Sequence, residues 1–261
     1  MKRITLAAVA AALALAAGPA MAAEEGQQAS GHGVEIAAQD WSWDGIFGGF
    51  DQQQLQRGYY VYEQVCASCH SLELVAFRNL HDLGFNDEQV QAIASNWTVP
   101  DLDQETGQAI TRPALPADRF PSPFPNPIAA RFANNGALPP DLSVIAKARA
   151  DGADYLYALL TGYVDAPQGV DVPVGKYYNA AFPGHIISMP PPLSDGRVEY
   201  IDGTPATVDQ LARDVSAFLM WAAEPALVER KELGVKVILF LIVLAGITYA
   251  VKRKVWSDVE H

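Results

Sequence analysis

At positions 66–70 the chain reads Cys66-Ala67-Ser68-Cys69-His70, and this run contains its only two cysteines. Two thiols at C-x-x-C spacing can form thioethers with the two vinyl groups of one haem, and the histidine that follows can ligate the iron. A thioredoxin-type disulfide uses the same spacing but does not need the histidine, and no βαβ pattern surrounds the run. The motif therefore predicts one covalently attached haem c, bonded at Cys66 and Cys69 and ligated by His70.

The first 22 residues have the features of a secretory signal peptide. Lys2 and Arg3 form a positive start, residues 4–17 are apolar and alanine-rich, and Ala20-Met21-Ala22 is an A-x-A cleavage site. We expect cleavage after Ala22 or Ala23. Because haem is attached to C-x-x-C-H after export, the signal supports the motif, and no cysteine is left for a structural disulfide.

A second apolar segment lies near the C-terminus, at residues 233–251, and is interrupted only by Lys236. As a helix it would be about 28 Å long, close to the thickness of a bilayer's hydrocarbon core. Lys236 could extend to the headgroups, and Lys252-Arg253-Lys254 favours a cytoplasmic tail, residues 252–261. We expect a transmembrane helix in the bacterial inner membrane, with the helix of a soluble core as the alternative.

The chain between these two ends is strongly acidic. Residues 23–235 hold 12 Lys and Arg against 28 Asp and Glu. This balance argues against binding to nucleic acid, and it could steer a cationic protein partner. Solubility alone would also explain such a surface.

The domain between the ends, residues 23–232, is predicted to be mostly α-helical and periplasmic. Capping residues and apolar spacing indicate helices that begin after Asp51, Asn86 and Thr207, the first of them ending at the haem motif. The last helix is closed by Pro225.

Two more helices are expected at residues 142–149 and 153–160, the second stopped by Gly162. No segment alternates over strand length, so no strand is expected. Residues 112–127 carry six prolines and are expected to follow an extended surface path, which could be a simple spacer.

The second axial position of the haem iron needs a ligand from elsewhere in the chain. Met189 precedes three prolines at 190–192, which restrict the backbone and could aim its sulfur. Met220 falls inside a predicted helix and is expected to pack there. Because cytochromes c commonly use a His/Met pair, Met189 is favoured over its main rival, His185.

Longer blocks of sequence add to the haem motif. The most distinctive are Ala130-Arg-Phe-Ala-Asn-Asn-Gly-Ala-Leu-Pro-Pro-Asp-Leu-Ser143, Met189-Pro-Pro-Pro-Leu193, and Asp202-Gly-Thr-Pro-Ala-Thr207 through Trp221-Ala-Ala-Glu-Pro225. With these blocks the chain resembles the cytochrome c1 family, the haem subunits of cytochrome bc1 complexes, and in particular its alphaproteobacterial members.

The resemblance implies a cytochrome c-like haem domain with long loop insertions and one C-terminal transmembrane helix. It matches the family's axial methionine to Met189 and an arginine near the haem propionates to Arg131. It also implies an electron carrier within ubiquinol–cytochrome c reductase, in a respiratory or photosynthetic chain. The expected partners are cytochrome b, a Rieske iron–sulfur protein and a soluble cytochrome c, in a dimeric complex.

Two other functions use the same motif. One is a stand-alone, membrane-tethered monohaem electron shuttle. Such a shuttle would need a flexible linker between the domain and its anchor, and residues 224–232 are too short and too structured for that. The other is a haem enzyme or gas-binding module with an open iron, which ligation by Met189 would exclude.

Overall fold

The structure, a computed structural model, describes residues 34–258. The predicted signal peptide at 1–22, His32 and His261 lie outside the described residues. Helices dominate the described part: α1 (Gln52–Gln64), α2 (Asp87–Ser95), α3 (Pro127–Ala133), α4 (Gly152–Thr161), α5 (Val208–Ala223) and α6 (Leu227–Val255). Two 3-10 helices, Cys66–Ser68 and Phe77–Leu83, follow α1 along the chain.

The predicted helices after Asp51, Asn86 and Thr207 are confirmed, and each is capped as the sequence indicates. The side chain of Asp51 accepts hydrogen bonds from Gln53 N and Gln54 N, and that of Thr207 accepts one from Gln210 N. Such caps satisfy amide groups that have no partner inside the helix. The apolar faces behind these caps form the core of the domain, where Leu55, Tyr59, Tyr62, Leu211, Val215 and Phe218 are at most 1% exposed.

Helices α1 and α5 pack against each other at close range. The crossing point is Gly58, where an added Cβ would lie 2.0 Å from the carbonyl oxygen of Asp214. Only a residue without a side chain allows the two backbones to come this close. The crossing therefore sets the position of the haem motif, which begins two residues after α1 ends.

A buried ion pair lies at the same crossing. Arg57 Nε donates to Asp214 Oδ2 at 2.9 Å, and Asp214 is fully buried. The guanidinium also bonds Asp202 at 2.9 Å. Burial opposes the charged form, but the hydrogen bonds to both carboxylates raise the pKa of Arg57. Because removing one partner would leave a buried charge alone, the pair fixes how α1 and α5 meet.

Helix α4 packs on the other side of α5 and ends at Gly162, as predicted. Two short antiparallel sheets complete the described part, where the sequence predicted no strand. One is a hairpin of β1 (Thr98–Leu102) and β2 (Ala109–Pro113), and the other pairs β3 (Tyr177–Tyr178) with β4 (Ile186–Ile187). Most positions of the hairpin are exposed, so its strands lack the apolar alternation that would reveal them.

The prediction of a helix at residues 142–149 is wrong, because that segment forms consecutive turns. The amide of Leu142 bonds the carbonyl of Ser71 at 2.9 Å, outside the segment. Leu142, Ile145 and Ala146 are buried, so the apolar spacing is real but serves packing in a turn.

Helix α6 contains the predicted span at residues 233–251. Among the described residues it is the one helix long and apolar enough to cross a membrane, with a mean hydropathy of 2.3 in its most apolar window. Its link to α5 is short: Leu227 is 3% exposed in the core, and Glu224 pairs with Lys147 at 3.4 Å and also with Arg230. The start of α6 is therefore fixed to the domain.

Replacing Gly58 by alanine tests the crossing. Helix propensity alone would favour alanine by about 1 kcal/mol. The clash with the Asp214 carbonyl must nevertheless separate α1 from α5, so we expect a net loss of about 1–3 kcal/mol in the free energy of unfolding. Denaturant unfolding in detergent, followed by circular dichroism, measures this loss. Gln53→Ala on the exposed face of α1 is the control, and a Gly58→Ala protein as stable as that control would contradict the proposed close packing.

Candidate haem-binding site

The C-x-x-C-H run forms a tight turn directly after α1. The amides of Cys69 and His70 both bond the carbonyl of Cys66, at 3.1 and 2.9 Å. Val65 ends α1 by bonding back into the helix, so the run starts from a rigid base. The turn gathers both sulfur atoms and the imidazole of His70 within five residues.

Both cysteines are free and half-buried. Burial raises the pKa of the Cys66 thiol to about 12, and the neighbouring Cys69 adds to the shift. The two sulfur atoms are not joined to each other in a disulfide. Two such thiols on one turn fit the attachment of haem c.

The imidazole of His70 is oriented by a backbone carbonyl. Its Nδ1 lies 2.8 Å from the oxygen of Pro140, an arrangement in which Nδ1–H donates and Nε2 keeps its lone pair. Burial lowers the pKa of His70, against the smaller opposite effects of the Pro140 carbonyl and Asp141. A neutral ring held through its second nitrogen is the usual state of a metal-ligating histidine, so His70 fits an iron ligand.

The segment around Pro140 is itself bonded to the residues after the motif. Glu73 N donates to Asp141 Oδ2 at 2.9 Å, and Leu74 N donates to Ser143 Oγ at 3.0 Å. Partial burial tends to raise the pKa of the Asp141 carboxyl group, but hydrogen bonds from Ser143 and Glu73 outweigh this effect and lower the pKa. Residues 138–143 thus form a strap that holds the His70 side of the site.

A surface cavity of about 320 Å³ opens beside Cys69. The end of the proline-rich segment forms one wall of it, Ser122 to Pro127, and the strap forms another, Leu138 to Asp141. The proline-rich segment therefore lines a cavity beside the haem motif. From the sequence alone it could have been a simple spacer.

Met189 is half-buried and lies on a loop held by α4. The hydroxyl of Tyr163, two residues after α4 ends, donates to the carbonyl oxygen of Met189 at 3.1 Å. Lys176 Nζ bonds the hydroxyl of the adjacent Ser188. A cavity of about 580 Å³ lies next to this loop and is lined in part by Tyr163 and Pro191.

Asn179 ties the Met189 loop to the end of α4. It is fully buried, its Nδ2 donates to Leu159 O at 2.8 Å, and its Oδ1 accepts from the amides of Ala181 and Phe182 at 3.0 and 3.1 Å. Its own amide bonds the carbonyl of His185 at 2.8 Å. One side chain therefore satisfies three backbone groups of the loop and the helix.

His185 belongs to the same loop. Its ring stacks on Tyr178 with centroids 5.4 Å apart, and its Nδ1 lies 3.2 Å from the carbonyl of Asn179. Its backbone has a positive φ of 62°. The rival ligand is thus bound into the turn that leads to Met189.

Arg131 lies at the end of α3 with an exposed side chain. Its Nη1 donates to the carbonyl of Gly136 at 3.1 Å, in the turn that leads into the strap. The structure therefore bonds Arg131 to the turn that precedes the strap, and not to the strap itself.

Three residues that hold the site could not be found from the sequence: Pro140, Tyr163 and Asn179. Pro140 acts through its carbonyl, which leaves no side-chain signal. Tyr163 and Asn179 are common residue types whose role depends on contacts 26 and 20 positions away along the chain.

Comparison with known proteins gives one family. Residues 41–259 match the Cytochrome C1 family. The chain is 49% identical to cytochrome c1 of Rhodospirillum rubrum, over 97% of both chains. It is also 49% identical to a mitochondrial cytochrome c1 haem protein of Solanum tuberosum, over 87% of both. Cytochrome b/c1 of Bradyrhizobium diazoefficiens is 50% identical, over 84% of this chain and 35% of that protein.

Replacing Asn179 by alanine tests how the Met189 loop is held. The change leaves two amides and one carbonyl without their partner, and each unpaired buried group costs about 1–3 kcal/mol. We expect amide hydrogen exchange to accelerate at least about tenfold across residues 180–187, while α1 stays protected. Asn126→Ala, which removes an exposed cap of α3, is the control. Unchanged protection at 180–187 would show that other contacts hold the loop.

Proposed function

The chain belongs to the cytochrome c1 family, and we propose that it carries electrons from a Rieske iron–sulfur protein to a soluble cytochrome c within a cytochrome bc1 complex. The observation that carries this proposal is the His70 ring, fixed through Nδ1 to the Pro140 carbonyl beside two free thiols. Such a turn suits a permanently bound redox group, and electron transport is the role that family membership supports.

The residues of the motif hold one haem c. Cys66 and Cys69 would bond its vinyl groups, and His70 would ligate the iron through Nε2. Bound in this way, haem c supplies a one-electron couple at its iron. The strap keeps the imidazole oriented, so that His70 need not rearrange between the two oxidation states.

Met189 would supply the second protein ligand to the iron. Hydrogen bonds of Tyr163 and Asn179 hold the loop that carries Met189. The prolines that follow Met189 limit the conformations of its backbone. A thioether ligand raises the potential relative to a second imidazole. This suits an acceptor for a Rieske centre, whose own potential can reach about +300 mV. Arg131 is assigned, from the resemblance, to pair with a haem propionate.

The chain converts no substrate itself. Quinol oxidation belongs to the cytochrome b subunit, and this chain is the electron-carrying subunit of a dimeric ubiquinol–cytochrome c reductase. The acidic domain favours the approach of a cationic soluble cytochrome c.

We assign residues 1–22 to a cleaved signal, 23–232 to a periplasmic haem domain, 233–251 to a single transmembrane helix and 252–261 to a cytoplasmic tail. The exposed apolar surface of α6 and the basic residues in its last turn support this topology. The membrane is the bacterial inner membrane.

A stand-alone tethered shuttle fits the structure less well. Such a shuttle needs a flexible linker to reach its partners, but only Glu224, Pro225 and Ala226 separate α5 from α6. Glu224 is paired on both sides and Leu227 is buried. A rigid junction suits a subunit that keeps one orientation relative to its anchor.

Replacing Met189 by leucine tests the axial ligand. Leucine keeps the volume of the side chain but cannot donate to iron, so the redox midpoint potential should fall and the low-spin spectrum should be lost. Covalent haem should remain, since the motif is untouched. Potentiometric titration of the purified protein measures the midpoint.

Met220→Leu, a half-buried position within α5, is the matched control and should keep the original midpoint. A Met189→Leu protein with an unchanged midpoint and spectrum would exclude Met189 as the ligand.

The salt dependence of electron transfer tests the partner. Raising the ionic strength from about 0.1 M to 1 M shortens the screening length from roughly 10 Å to 3 Å. The second-order rate of reduction of a cationic cytochrome c should therefore fall steeply, as stopped-flow spectroscopy can measure. A small uncharged electron acceptor provides the control. Equal salt profiles for the two acceptors would exclude electrostatic steering.

A further inference from the structure

A short loop before α1 exposes two apolar side chains at its tip. Ile46 is 66% exposed and Phe47 is 91% exposed, although both could pack in a core. The residues on either side of them behave differently: Trp43 is 5% exposed, and Phe50 packs against the core. The exposure is thus confined to the tip.

The loop has a defined shape. At its base, Gly49 N bonds Ser42 O at 3.0 Å, and Asp44 N bonds Trp41 O at 2.9 Å. Gly48 allows the two sides of the loop to approach, because a Cβ there would lie 2.0 Å from Asp44 O. A closed loop of this kind presents its tip in one orientation, so the exposure of the two side chains is built into the fold.

The loop is attached to the start of α6. Lys231 Nζ donates to the carbonyl of Gly45 at 2.7 Å and also to that of Trp43. A Cβ on Gly49 would lie 3.8 Å from a methyl group of Val228, so the base of the loop touches α6 as well. Gly45, which accepts from Lys231, directly precedes the two exposed residues.

This attachment places the loop at the level of the lipid headgroups if α6 spans the membrane. The apolar run of α6 begins at Leu233, and Lys231 lies two positions before it, a rise of about 3 Å along the helix. The headgroup layer on each side of a bilayer is about 5–7 Å thick. Apolar and aromatic side chains are typical of proteins that insert at this boundary.

We propose that the tip of the 42–49 loop enters the headgroup–acyl boundary of the bilayer that holds α6, with Ile46 and Phe47 as its lipid contacts. The proposal rests on the proposed membrane anchorage by α6. The loop would then serve as a second membrane contact, which limits rotation of the haem domain about its single helix.

Site-specific quenching of a fluorescent label tests this contact. In the haem-loaded full chain both native cysteines are consumed, so Phe47→Cys introduces one reactive thiol for an environment-sensitive dye. The purified protein is placed in phosphatidylcholine vesicles without any other subunit. Iodide quenches labels in water, and a lipid with a nitroxide high on its acyl chain quenches labels at the boundary.

Two variants provide the reference points. Val237→Cys lies in the apolar part of α6, and Val174→Cys is a fully exposed position on a loop of the haem domain. We expect iodide to quench the label at 47 several-fold less than the label at 174, and the nitroxide lipid to quench it nearly as much as the label at 237. Ile46→Cys should behave in the same way.

Iodide quenching at 47 as strong as at 174, with 237 still protected, would overturn the lipid contact and leave the anchorage intact. Protection at 47 only after assembly with other subunits would also overturn it, in favour of a protein contact. If the label at 237 is itself open to iodide, the anchorage fails and this inference fails with it.

Discussion

The close approach of α1 and α5 at Gly58 is the constraint on which the rest of the domain depends. The carbonyl of Asp214 lies so close to Gly58 that a residue with a Cβ would clash with it. The buried Arg57–Asp214 pair stabilises the same crossing. From this point α1 runs to the haem motif and α5 runs to the membrane helix. The contact between α1 and α5 thus fixes the position of the haem motif relative to that of the membrane helix.

The two candidate ligands, His70 and Met189, are held by different means. On the His70 side, the strap at 138–143 supplies backbone and carboxylate contacts, including the Pro140 carbonyl on the imidazole. On the Met189 side, α4 supplies Tyr163, and the buried Asn179 joins the loop to the helix. A covalently bound haem would connect these halves. Each of the two candidate ligands is therefore oriented by contacts of its own.

Much of this arrangement could be predicted from local sequence. The motif, the helix caps at Asp51 and Thr207 and the apolar C-terminal run are signals within a few residues of each other, and the structure confirms the corresponding elements. The contacts that orient the site are different, because they join residues far apart in sequence. The segment at 142–149 shows the limit of spacing arguments. Its apolar residues are buried as a helix would bury them, but bonding of Leu142 to Ser71 draws the backbone into turns.

In the proposed function this frame holds an iron between His70 and Met189. X-ray absorption at the iron edge of the purified, haem-loaded full chain tests it most directly, because the method identifies the atoms bound to the metal. We expect one sulfur ligand together with the nitrogens of the haem and of one imidazole. An iron ligated by nitrogen alone, with two imidazoles, would contradict it and point to His185.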